Sequence, residues 1–196
     1  MKSKVIAGFF IFFCILSSAA VQGVNAASCP STDKYAMLNY NHQLLNQTET
    51  FSEASRVLGF VGLKIGPSGI TNAGNNILQR TVEVQFDPTC SSRGESDVTV
   101  TVSGSCANGV LNMRIQEVYP EITLSGCLTF VVPETSTDFI LKMDYADGNT
   151  EVQPYTCPNC SGTYSWRLQF TEGPPSESLP LAPLVPMLHL LQKKTR

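Results

Sequence analysis

Between Gly126 and Phe170 the chain alternates apolar and polar residues. The apolar set runs through Leu128, Phe130 and Val132, then Phe139, Leu141, Met143 and Tyr145, then Tyr164, Trp166, Leu168 and Phe170. Successive side chains of a strand point to opposite faces, so a period of two gives each segment one apolar face. The same alternation recurs upstream in Val82, Val84 and Phe86, in Val98, Val100 and Val102, and in Leu111, Met113 and Ile115. Asp147-Gly148 and Asn108-Gly109 tolerate the positive φ angles of tight turns and are expected to close hairpins. Strands are therefore expected over 81–86, 97–103, 110–118, 121–132, 138–145, 151–156 and 163–170. Val57 to Ile65 is apolar but carries Gly59 and Gly62, as a bent or bulged strand does. The total is about eight strands, at the spacing of sandwiches and up-and-down barrels. Residues 29–55 have no clear period and read as a loop with one short helical turn. Residues 66–76, rich in Gly, Asn and Ser, read as a second loop.

Residues 1–26 read as an export signal. Lys2 and Lys4 precede an apolar run from Val5 to Leu16, and Val24-Asn25-Ala26 supplies the small residues of a cleavage site. The run is shorter than the ~20 residues of a membrane-spanning helix, so a retained signal anchor is the weaker reading and no stable membrane insertion is expected. The remainder suits one domain, taken as 27–172, followed by a tail at 173–196. That tail is apolar, broken by prolines and basic at its end, and Leu184 to Lys194 has room for one short helix. A lipid-anchor signal is the alternative, opposed by the charged ending and the prolines. The net charge of −3 and the lack of a basic cluster before the last residues disfavour nucleic acid as a partner.

Of the 7 cysteines, Cys14 leaves with the signal. Cys29, Cys90, Cys106, Cys127, Cys157 and Cys160 form an even set in a secretory context, which implies up to three disulfides. Two glycosylation sequons, at Asn46 and Asn159, agree with a secreted, extracellular protein. Cys157-Pro158-Asn159-Cys160 is the one local motif with chemical content. Strand-like flanks on both sides argue against a thioredoxin-like redox pair, and a zinc site would need a second ligand pair. The two cysteines are expected to tie a strand connection to other parts of the chain, such as Cys29 or Cys90.

Enzyme motifs are missing: there is no GxSxG elbow, HExxH or phosphate-binding glycine loop. The only histidines, His42 and His189, fall in segments that no rigid strand is expected to hold, so both read as solvated surface groups. No catalytic residue, metal site or cofactor is expected. The apolar strand faces are first a core, but a closed eight-stranded barrel can also hold one small ligand.

The run GCLTFVVP, then DFILKMDY, then a strand ending in YTC, then YSWRLQF, resembles the second half of a lipocalin. Gly126, Leu128 and Phe130 would stand for the family's G-x-L-x-V-x-F strand, and Met143-Asp144-Tyr145 for its T-D-Y-like triplet. Cys157 would stand for the cysteine closing the next strand, and Arg167 for the arginine of the last. The G-x-W of the family's first strand is absent, Trp166 being the only tryptophan. The resemblance implies an all-β, antiparallel up-and-down β-barrel that carries a small hydrophobic ligand, such as a lipid or retinoid, in its lumen. Lumen candidates are Val84, Phe86, Val100, Met113, Phe130, Leu141, Met143 and Trp166. A second reading is a secreted β-sandwich acting as a protein-interaction module through loops such as 66–76 or 133–137. A hydrolase or redox enzyme built on His42 or the CxxC ranks below both.

Overall fold

The computed structural model describes residues 28–48, 50–157 and 159–176. The expected signal at 1–26 and the helix expected at 184–194 lie outside them. The described residues form eleven strands and no helix: β1 (Lys34–Gln47), β2 (Ser52–Gly66), β3 (Gly69–Asn72), β4 (Ile77–Asp87), β5 (Cys90–Ala107), β6 (Val110–Tyr119), β7 (Ile122–Gly126), β8 (Phe130–Val132), β9 (Thr135–Asp144), β10 (Thr150–Cys157) and β11 (Cys160–Thr171). All pairings are antiparallel. The all-β expectation holds.

The hydrogen-bonded order is β10-β11-β1-β2-β3-β5-β6-β9, with β4 also between β2 and β5. Two hairpins break the simple up-and-down succession: β7–β8 turns aside to pair with β5, leaving β9 beside β6, and β10–β11 returns to pair with β1. The order ends at β10 on one side and β9 on the other. What forms is one bent antiparallel sheet whose two ends face each other, with Phe139 of β9 packed 5.6 Å from Trp166 of β11.

Several expectations need correction. Residues 34–47, expected as loop, are β1, a strand paired on both sides. Its inward residues are Ala36, Leu38, Tyr40 and His42. A small, an aliphatic, an aromatic and a polar residue give no apolar period to read. The stretch 66–76 contains the short strand β3. The single strand expected at 121–132 is a hairpin, β7–β8, so Gly126 ends one strand and Phe130 begins the next, with Leu128 exposed between them. Asp147-Gly148 closes no hairpin, because β9 and β10 lie at opposite ends of the order. Gly148 does take a positive φ of 74°, within a crossing segment pinned to β11. Its N–H donates to the Leu168 carbonyl at 2.8 Å, and the Asp147 carboxylate accepts from the Phe170 N–H at 2.8 Å. Asn108-Gly109 closes the β5–β6 hairpin as expected, with φ values of 52° and 76°.

The bend expected near Gly59 and Gly62 is present. β2 pairs with β4 through residues 52–58 and with β3 through residues 63–66, changing partner at the glycines. A side chain at Gly62 would place its Cβ 1.9 Å from the Ala73 carbonyl oxygen. Pro154 also has a positional reason. It lacks an N–H, and β10 is an edge strand where one fewer donor is tolerated.

Two disulfides staple the two ends of β5, as suits an extracellular protein: Cys106 to Cys29, ahead of β1, and Cys90 to Cys127, just after β7. Cys160 is disulfide-bonded as well. The expected tie from Cys157 or Cys160 to Cys29 or Cys90 is overturned, since both of the latter are bonded elsewhere.

Candidate functional site

The proposed lumen residues do not share one space. Val100, Met113, Leu141, Met143 and Trp166 belong to the main core, with Leu38, Val61, Leu63, Leu111 and Ile115. Val84, Phe86 and Phe130 belong to a smaller core, formed where the β7–β8 hairpin lays Ile122 and Leu124 against β4. Phe86 and Phe130 meet edge to face at 5.9 Å there.

Between the two cores the inward positions turn polar. On β4 the inward series runs Leu78, Arg80, Val82, with Leu78 in the main core and Val82 in the smaller one. On β6 it runs Leu111, Met113, Ile115 and then Glu117. On β1 it runs Leu38, Tyr40, His42. Period two carries these polar residues inward with the apolar ones before them. Tyr40, His42, Arg80, Glu117 and Trp166 are all more than nine-tenths buried. The polar layer thus draws on strands from both ends of the sheet.

His42 corrects the sequence reading most sharply. It is 3% exposed on a strand paired along both edges, not a solvated surface group. Its ring sits among aromatic rings, 4.9 Å from Tyr40, 4.6 Å from Tyr164 and 4.9 Å from Trp166. Burial lowers its pKa to about 3, so the imidazole is neutral at physiological pH. Its Nδ1 lies 3.9 Å from Glu117 Oε1, too far for a hydrogen bond, and a neutral ring there makes no ion pair.

Glu117 is tethered by one oxygen only. Oε2 accepts a short hydrogen bond from the Tyr119 hydroxyl and another, at 3.1 Å, from Thr137 Oγ1. Burial raises its pKa, and these two donors oppose the rise. Tyr40 and Tyr119 are raised as well, first by burial and then by the charge of Glu117. The guanidinium of Arg80 stacks over the Tyr119 ring at 5.1 Å, on a cation–π contact. Burial lowers its pKa from the usual arginine value.

The polar atoms with no hydrogen-bond partner within the protein cluster in this layer. They include both His42 nitrogens, Arg80 Nε and Nη1 and Glu117 Oε1, whereas the Trp166 indole is placed to donate to the Tyr40 oxygen. Buried polar groups are ordinarily paired, and each one left unmade costs about 1–3 kcal/mol. Groups of this kind are ordinarily satisfied by ordered water or by a bound molecule. Thr137 is exposed, and Tyr119, Phe139 and Tyr164 are half-buried, so the layer reaches the surface beside the β9 edge. No group of three His, Cys, Asp or Glu among the described residues could hold a metal ion.

Sequence reasoning missed Tyr40, Arg80 and Glu117, and placed His42 in solvent. A usable signal existed for Arg80 and Glu117. Each continues the inward parity of an apolar run, Arg80 with Val82 and Val84, Glu117 with Met113 and Ile115. Of the other expected sites, Asn159 is exposed in the β10–β11 turn and Asn46 is half-buried on β1. Cys157 and Cys160 are register partners across that turn. Arg167 faces outward on β11 and is exposed.

The fold and the site define an antiparallel all-β chain with an aromatic and polar layer set between two apolar cores. Comparison with protein-family models, with curated proteins and with solved structures finds no match.

Proposed function

We propose that this chain is an exported carrier that binds one small molecule between the facing ends of its sheet, the apolar body against the main core and the polar end in the His42–Glu117 layer. The observation that carries this reading is the convergence, on side chains more than nine-tenths buried, of polar atoms that the protein itself leaves without partners. Ligand sites are mostly apolar surfaces with a few placed polar groups, and the layer has that composition. Removing apolar ligand surface from water stabilises the complex by roughly 25 cal/mol per Å². The polar layer makes the choice of ligand narrower than for a purely apolar lumen, because a ligand without a matching polar group leaves those atoms unpaired.

Trp166, the only tryptophan, lies 1% exposed in this layer and reports on it directly. Titration of the purified protein with a fluorescent fatty acid, retinol and small aromatic compounds is expected to give saturable 1:1 changes in Trp166 emission for at least one class. Folded, monodisperse protein that responds to none of them would sink the carrier reading.

A further inference from the structure

Within that layer the unpartnered atoms differ in kind. Glu117 Oε1 only accepts when the carboxylate is ionised; the residue is 1% exposed, and among the described residues no Lys or Arg lies within 4.0 Å of it, the nearest basic group being the neutral imidazole of His42. Beside Glu117 Oε1 stands another group able to accept, a ring nitrogen of neutral His42, with no partner within the protein. The rings of Tyr40, Tyr164 and Trp166 pack about His42, and Phe139 packs on Trp166. Tyr40 and Tyr164 both lie close enough to feel the Glu117 charge.

A primary ammonium carries three donors and one positive charge. Aromatic faces attract such a cation, most strongly when water is excluded. A buried carboxylate oxygen without a counter-charge is satisfied by the same group. A metal ion would need more ligands than the described residues bring together.

Resting on the carrier reading above, we infer that the ligand is a small amine with an aromatic or apolar body, its ammonium group donating to Glu117 Oε1 within the ring set of Tyr40, His42, Tyr164 and Trp166. Access is beside Thr137, whose exposed side chain already touches the carboxylate through its hydroxyl. Arg80, with Nε and Nη1 unpartnered, lies across the Tyr119 ring from Glu117, and a carboxylate ligand would seek it instead.

Three compounds of one shape separate these outcomes: phenethylamine, 2-phenylethanol and 3-phenylpropionate. Each is titrated into the native protein by calorimetry, with Trp166 emission as a second reading. The amine is expected to bind at least tenfold more tightly than the alcohol and the acid. Glu117→Gln, checked for native folding by near-UV circular dichroism, is expected to abolish that preference. The native-protein series stands by itself if the variant does not fold. Equal binding of all three, or tighter binding of the acid, overturns the amine assignment and leaves the carrier reading intact. No binding by these compounds, with saturable binding of a fatty acid or retinol, also overturns it and again spares the carrier. Silence from every compound overturns both.

Discussion

A histidine buried without a partner couples folding to pH in a defined direction. His42 titrates near 6.5 in an unfolded chain and near 3 in the folded one, so the unfolded state binds the extra proton between those values. Its contribution is whole above pH 6.5 and is lost as pH falls toward 3. Glu117 acts oppositely: its raised pKa gives a contribution present below about 4.5 and lost as pH rises through the folded value. The charged or titratable groups facing this pair are Arg80, Tyr40, Tyr119 and Tyr164. None of these changes charge between pH 7 and pH 5, and the lowered carboxyls of Asp87 and Asp138 stay ionised there. His42→Gln is therefore expected to remove an acid penalty of about 2 kcal/mol between pH 7 and pH 5. Urea unfolding of the variant and the native protein at the two pH values measures it. An unchanged difference between them would place His42 in water rather than in the layer.

At the scale of strands, what could be read from the sequence follows from how purely apolar each inward face is. β5 and β6 were legible because Val98, Val100 and Val102 face Leu111, Met113 and Ile115 across a hairpin closed by Asn108-Gly109. β1 was not, since its inward face ends in Tyr40 and His42, and two adjacent apolar residues, Met37 and Leu38, blur the alternation. The candidate site was hidden for the same reason, its polar residues occupying positions where the pattern should have been apolar. Asp147-Gly148 misled because turn chemistry reports a sharp change of direction and says nothing of which strands pair. The bend in β2 was legible from Gly59 and Gly62, and it gives a test. Gly62→Ala forces a Cβ onto the Ala73 carbonyl and strains the bonds that Gly62 makes to Ala73 and Asn75. Thermal or urea unfolding should reveal a loss of about 2–3 kcal/mol, the scale of an overpacked interior. A loss below about 0.5 kcal/mol would mean that β2 does not approach the 73–75 segment so closely.

For the whole molecule, the Cys29–Cys106 bridge spans a sequence separation of 77 and Cys90–Cys127 one of 37. Chain entropy assigns the longer loop about 4.5 kcal/mol and the shorter about 4 kcal/mol. The Cys29→Ala/Cys106→Ala double variant is expected to lose stability on that order by urea unfolding, while the main core keeps its composition. A loss under about 1 kcal/mol would show that the bridge constrains little of the unfolded chain. One consequence of the strand order concerns synthesis. β1 finds one of its two neighbours only in β11, with Tyr35 opposite Thr171. A ribosome makes the first of these strands long before the last. Until the C-terminal hairpin emerges, β1 has an open side that any other extended chain can occupy. The molecule cannot complete its sheet piece by piece as it is made, so its yield in a cell depends on how well that waiting edge is shielded.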